Sequence, residues 1–389
     1  MRAILASASL MMLVMLLACS TTNVVERFEV TREVLLESGR FPTPHALIQT
    51  KEGGYVVTGI DANKPWATRT DPEGNVQWRH VVPPAKDGTQ SGAYGVGYGV
   101  YAGAATMDDD STLLCGNTDI GWRDKPLIMG MLTRIDKSGQ AISHRLFYPQ
   151  GDERFHLNYL RKCIRWGDGF AVIGQTSRSV GPFFWVLALD AKGDTKWEKL
   201  LPGQGTLEVL TLSNHDLILS QPSLNGTKIV RLDATGAIQA QRIIPDGVVV
   251  RSTVPDSVIH LISGVGGRTT LRTLNERLED VGYLAGNAAL IHRAPINTNA
   301  DYMLPNHALF LFGYQREREV HTATIARLSA DLNDLQTFSF QPLWVSAWVD
   351  DAVSTGKPGE FATVRTVRRL PHWPDEKRVG LVLAFIRVR

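Results

Sequence analysis

Cysteine is scarce in this chain: of 389 residues only Cys19, Cys115 and Cys163 carry a thiol, too few for a disulfide framework and with no Cys-x-x-Cys pair. A helix needs about 20 apolar residues to cross a bilayer, and the N-terminal run Ala3 to Ala18 has 16. Neither sign of charge prevails, with 41 Lys and Arg against 39 Asp and Glu. That balance gives no indication of a nucleic-acid partner. Gly-x-Ser-x-Gly, His-Glu-x-x-His and calcium-loop patterns are all missing, and the ten His are scattered. No cofactor and no metal are therefore expected. No Pro-rich or Gly/Ser-rich linker divides the chain, and no stretch reads as a helix-rich domain.

What is present is internal repetition. The phrase Gly53-Gly54-Tyr55-Val56-Val57-Thr58-Gly59, followed by Thr70-Asp71-Pro72-Glu73-Gly74-Asn75-Val76-Gln77-Trp78, returns in decaying copies. The turn Asp-x-x-Gly stands at Asp71 to Gly74, Asp136 to Gly139, Asp190 to Gly193 and Asp233 to Gly236. Asp caps such a turn by bonding the backbone two residues on, and Gly supplies the positive φ. Trp78 and Trp197 each follow a turn Gly by four residues. Leu274 to Leu278 and Leu328 to Leu332 keep the flanking hydrophobes but lose the Gly, and read as degenerate copies.

Short apolar strands precede these turns at Tyr55 to Gly59, Thr112 to Gly116, Phe170 to Gly174, Leu217 to Ser220, Val258 to Ser263 and Ala308 to Gly313. The expected fold class is all-β: a β-propeller of about seven four-stranded blades, framed at 44–84, 91–149, 152–203, 204–246, 247–285, 286–342 and 343–389. The last blade runs out of chain before its outermost strand. The segment Val25 to Glu37 has strand character and is expected to pair with Val379 to Val388, closing the ring. One propeller domain over 25–389 follows.

The N-terminus joins Arg2 and the apolar run to Leu16-Leu17-Ala18-Cys19, which resembles the lipobox of bacterial lipoproteins. The resemblance implies a signal peptide over 1–18, acylation of Cys19 and a lipidated tether over 19–24, with the membrane as a partner through the lipid. Ser20 in place of Asp after the Cys points to the periplasmic face of the outer membrane.

Cys115 and Cys163 fall in adjacent blades, so an oxidising compartment raises a disulfide between them beside the plainer reading of two buried thiols. Asp108-Asp109-Asp110 suggests either a metal site or an acidic turn, the turn being the commoner explanation. Asn225-Gly226-Thr227 is a turn signal first and a glycosylation sequon second. The Gly/Tyr run Ser91 to Gly103 reads as loop plus inner strand, and Arg365, Arg368 and Arg369 as the exposed side of a strand.

Long loops are expected on one face, where the second strand of a blade joins the third, at Asp61 to Trp66, Asn117 to Pro126, Ser177 to Pro182, Tyr314 to His321 and Leu370 to Lys377, and where one blade joins the next, at Pro83 to Ala93, Gln150 to His156 and Gly286 to Pro305. They carry Trp66, Trp122, Arg123, Arg178, Phe183, Arg293, Arg316, Arg318, His372 and Trp373, residue types enriched at the energetic centres of protein interfaces. These form the candidate binding face.

The copy Ala188-Leu189-Asp190-Ala191-Lys192-Gly193-Asp194-Thr195-Lys196-Trp197 resembles a quinoprotein-type propeller repeat, and with the lipobox the chain is similar in general type to BamB-like outer-membrane propeller lipoproteins. It departs from them in blade number and in lacking regular Trp hairpins. Two functions stay open. One is a scaffold, assembly factor or inhibitor that binds another envelope protein. The other is an enzyme or carbohydrate-binding protein acting on envelope glycans through an axial cleft.

Overall fold

The computed structural model describes residues 28–388, apart from 40–41, 62–63, 82–98, 120–127, 148, 150–156, 179–180, 204–207, 224–225, 246–247, 251–257, 266–267, 287–295, 304–308, 318–319, 340–345, 358 and 369–378. The chain starts with strand β1 (Phe28–Gly39). Blade 1 is β2 (Thr43–Gln49), β3 (Tyr55–Asp61), β4 (Lys64–Thr70) and β5 (Val76–Val81). Blade 2 is β6 (Gly99–Thr106), β7 (Thr112–Asp119), β8 (Ile128–Ile135) and β9 (Ala141–Phe147). Blade 3 is β10 (Asn158–Trp166), β11 (Gly169–Arg178), β12 (Gly181–Leu189) and β13 (Thr195–Pro202). Blade 4 is β14 (Glu208–Thr211), β15 (Leu217–Ser223), β16 (Gly226–Leu232) and β17 (Ile238–Ile244). Blade 5 is β18 (Val248–Val250), β19 (Ile259–Val265), β20 (Arg268–Leu274) and β21 (Asp280–Gly286). Blade 6 is β22 (Ile296–Met303), β23 (Leu309–Glu317), β24 (Val320–Leu328) and β25 (Leu335–Ser339). Blade 7 is β26 (Ser346–Ser354), β27 (Glu360–Arg368) and β28 (Val379–Val388), completed by β1.

The seven sheets are antiparallel meanders, and their first strands approach one another around the axis. The fold is the seven-bladed propeller that the repeat predicts. Its closure is the expected one, with β1 antiparallel to β28 from Phe28 opposite Val388 to Gly39 opposite Val379.

The apolar residues do not gather into one centre. Among the described residues they form seven clusters, each spanning two neighbouring blades. Trp166, Ile173 and Phe184 of blade 3 meet Leu217, Leu219 and Val230 of blade 4, for example. Leu36, Val364 and Leu383 of blade 7 meet Leu47, Tyr55 and Trp66 of blade 1. A blade is a sheet with two apolar faces, so its burial depends on both neighbours.

The turns between third and fourth strands repeat one geometry. In blade 2 the Gly139 amide donates to Asp136 O at 3.1 Å, and the Gln140 amide to Asp136 Oδ1 at 2.9 Å. The two degenerate copies keep this turn. The Leu278 amide donates to Asn275 O, the Leu332 amide to Ser329 O, and both Leu residues take positive φ, at 62° and 60°. Such a backbone costs a side-chain-bearing residue about 1–2 kcal/mol, whereas burying a Leu contributes roughly 1.5–3 kcal/mol. Both side chains are buried, so burial offsets the strain.

The preceding blade decides which residue fits. A Cβ on Gly139 would lie 2.7 Å from the Trp78 side chain, and one on Gly236 3.0 Å from Trp197. Where the blade before offers Ala240 at the Trp position, the next turn carries Leu278, and both lie in one cluster. Trp opposes Gly, and Ala opposes Leu.

Removal of residues 25–37 is expected to expose the β28 edge and lower Tm by ~10 °C or more, measured by calorimetry. An unchanged Tm would show that closure adds nothing. Gly236→Leu forces a side chain onto Trp197 at φ 80° and should cost roughly 3 kcal/mol or more in urea unfolding. Leu278→Gly relieves strain but opens a cavity, for a smaller net loss of about 1–3 kcal/mol.

Candidate functional site

The hairpins joining second to third strands lie on one face, and five of the seven are tight, three of them where a long loop is expected. Asp61 pairs with Lys64, Arg178 with Gly181, Ser223 with Gly226, Val265 with Arg268 and Glu317 with Val320, leaving two residues between each pair. The long loops expected at Asp61 to Trp66, Ser177 to Pro182 and Tyr314 to His321 are therefore strand continuations. The connections after Asp119 and Arg368 lie outside the described residues.

Trp66 is not on this face. It sits within β4 opposite Gly59 and is 1% exposed. A Cβ on Gly59 would stand 2.8 Å from Trp66 Cζ2, so the indole fills the space left by the missing side chain. Trp185 stands opposite Gly174 in the same way. Arg178 and Phe183 are half-buried beside the β11–β12 hairpin, where Phe183 pairs with Thr176 and Pro202. Arg316 lies on β23 opposite His321, whose ring meets Tyr314 edge to face at 4.8 Å. Trp122, Arg123, Arg293, Arg318, His372 and Trp373 fall outside the described residues.

Cys115 and Cys163 are free buried thiols, so no disulfide joins them here. Burial and the neighbouring Cys163 raise the Cys115 thiol well above its usual value. The acidic run at 108–110 is structural. Asp108 pairs with Arg165 of blade 3, Asp109 with Arg134 of blade 2 and Asp110 with Arg69 of blade 1, at 2.6, 2.6 and 2.5 Å. The turn thus clips three blades. Arg365 corrects another expectation: it is buried and paired with Glu33 of the closing strand.

The axis holds the second candidate region. Five of the seven innermost strands carry a bulge at one equivalent level. The residues passed over in the pairing are His45, Ala102, Arg161, Asn299 and Asp350. In four of these blades a Gly lies opposite the residue before the bulge: Gly59, Gly116, Gly174 and Gly313. A Cβ on Gly116 would meet Val100 O at 1.7 Å, and one on Gly174 would meet Tyr159 O at 2.0 Å. The Gly that ends each repeat phrase is there to admit the bulge.

At this level Arg161 is exposed, with its guanidinium carbon 5.0 Å from the Tyr159 ring centre. His45 belongs to blade 1 and Arg161 to blade 3, with only blade 2 between them, and each is displaced at the same level beside the axis. Although His45 is open to channel water, protein surrounds it. Desolvation and then the Arg161 cation hold its imidazole below the usual value. Sequence reasoning missed both residues. The available signal was Arg161-Lys162, two adjacent cations inside a first strand.

No protein-family model matches the chain, and no curated protein sequence matches it. Among solved structures, the chain is similar to a catalytically inactive variant of virginiamycin B lyase from Staphylococcus aureus with quinupristin, at 14% identity and TM-score 0.52, over 92% of this chain and 99% of that one. The Dos1 propeller matches at 11% identity and TM-score 0.49, over 88% and 79%. Sqt1 from Chaetomium thermophilum matches at 10% identity and TM-score 0.47, over 90% and 99%. At 14% identity the likeness to the lyase structure concerns the fold alone and says nothing about chemistry.

The turn carboxylates set a pH dependence. Hydrogen bonds from Ser138 to Asp136, from the Asp194 amide to Asp190 and from Thr235 to Asp233 each hold the carboxyl below its ordinary value. A depressed folded pKa gives stability that is present above the unfolded value, near 3.9, and lost as pH falls through the folded one. The triple variant with Asn at 136, 190 and 233 should therefore lose less stability than wild type between about pH 4 and pH 2 in urea titrations.

Proposed function

We propose that this protein is a lipid-anchored periplasmic propeller that binds another envelope protein, as a scaffold, assembly factor or inhibitor, through the face bearing the second-to-third-strand hairpins. The observation that carries this reading is the path of β1. Phe28 pairs with Val388, at the end of β28 remote from the hairpin that joins β27 to β28. The N-terminal segment therefore leaves the ring on the face opposite those hairpins.

Eight residues, Ser20 to Arg27, separate Cys19 from β1, a reach of at most about 30 Å. With Cys19 acylated, the ring rides close to the membrane and its hairpin face looks away from the lipid, toward soluble or protruding partners. Arg178, Phe183 and Arg316 belong to strands at that face, and Trp122, Arg123, Arg318, His372 and Trp373 to its connections, with Arg293 between blades 5 and 6. A rigid ring presenting such residues on one side suits recognition of a protein surface.

Affinity purification of tagged protein from crosslinked envelopes is expected to enrich one protein. Replacing Trp122, Arg316 and Trp373 together with Ala should lose it while Tm stays within a few degrees. Cys19→Ala should move the chain from the membrane to the soluble fraction. Retention of the partner by the triple variant would refute the binding face. An empty capture with both chains would turn attention to glycan ligands at the axis.

A further inference from the structure

We propose that Arg161 is the centre of an anion-binding site inside the axial channel, built to take a carboxylate or phosphate group. This inference is independent of the hairpin-face reading above and concerns a different part of the ring.

The backbone makes the first part of the case. A bulge at one level of five innermost strands displaces a single residue from the ladder in each, and in blade 3 that residue is Arg161. The flanking residues Leu160 and Cys163 are buried between blades, while Arg161 is exposed. A cation placed here lies inside the ring, whose protein walls weaken solvent screening of its field.

Charge balance makes the second. Among the described side chains of the first strands, each carboxylate already has a partner. Glu208 is held by Lys162. Asp350 accepts from the Thr366 amide at 2.8 Å and its hydroxyl at 2.6 Å. Asp351 accepts from the Leu47 amide of blade 1 and from the Ala352 amide, each at 2.9 Å. None of these acids answers Arg161.

The geometry of the guanidinium makes the third. The guanidinium carbon lies over the Tyr159 ring, 5.0 Å from its centre, which leaves N–H groups turned away from the ring to donate. A planar fork of donors suits the paired oxygens of a carboxylate or phosphate. Two blades away, His45 is held toward its neutral form by burial and by Arg161, so one ring nitrogen can donate to a bound anion while the other accepts. The site thus offers one cation and one neutral hydrogen-bonding ring, two blades apart on the channel wall.

The test uses the full chain with succinate and inorganic phosphate as separate probes, titrated by calorimetry at constant ionic strength. Wild type is expected to bind at least one of them saturably. Arg161→Gln should weaken that binding tenfold or more with Tm unchanged, because the side chain is exposed. Arg161→Lys keeps the charge without the fork and should fall between. Arg145→Gln, on an outer strand where Arg145 pairs with Asp194, should bind as wild type does. Binding of succinate alone identifies a carboxylate ligand, and of phosphate alone a phosphorylated one. Wild type that binds neither probe, or an Arg161→Gln chain that binds equally well, overturns the proposal.

Discussion

Each blade of the ring has two apolar faces and only one becomes covered when the next blade is added, so the assembly is incomplete until its last face meets its first. The ladder between β1 and β28 makes that meeting. It carries Leu36 against the cluster that holds Leu47, Tyr55 and Trp66, and it places Glu33 beside the buried guanidinium of Arg365. A buried Arg without its carboxylate would be strongly destabilising, so the strand contributes charge compensation as well as backbone pairing. Thr31 adds a bond to Phe385 O at 3.3 Å.

Polar groups then stiffen the joints that apolar packing creates. Asp110 holds Arg69 from the next blade, Arg231 donates to Glu276 O in the next turn, and the Trp197 indole donates to Ala234 O. These ties join turns at one end of the ring, while the hairpins at the other end make short connections. One face is therefore laced together and the axial interior is shaped by bulges. That division separates the part that maintains the ring from the parts open to ligands.

Much of this was legible in the chain because the repeat couples residue type to geometry. The Asp-x-x-Gly turns, the blade count and the closing strand were readable from Asp71, Asp136, Asp190, Asp233 and the missing final strand. What escaped reading was everything set by a neighbouring strand. Trp66 looked like an interface residue, yet it fills the gap above Gly59. Arg365 looked solvated because alternation describes one strand, and its partner Glu33, on the closing strand of the same blade, lies 332 positions away. The bulges were hidden in the repeat Gly, whose role depends on a carbonyl in another strand. His45 and Arg161 share no sequence window, and only the ring brings them to one level within electrostatic reach.

The composite blade also fixes an order of events in the life of the chain. Its outer strand is the first strand of the ring and β28 the last, so the seam pairs the earliest part of the fold with the latest. While synthesis continues, Leu47 and Trp66 on one flank wait for Val364 and Leu383, which are added about 300 positions later. A nascent or prematurely terminated chain therefore exposes a greasy flank at each end and an open sheet edge. Quality control in the compartment where it folds has, in this seam, a single feature that distinguishes finished molecules from fragments.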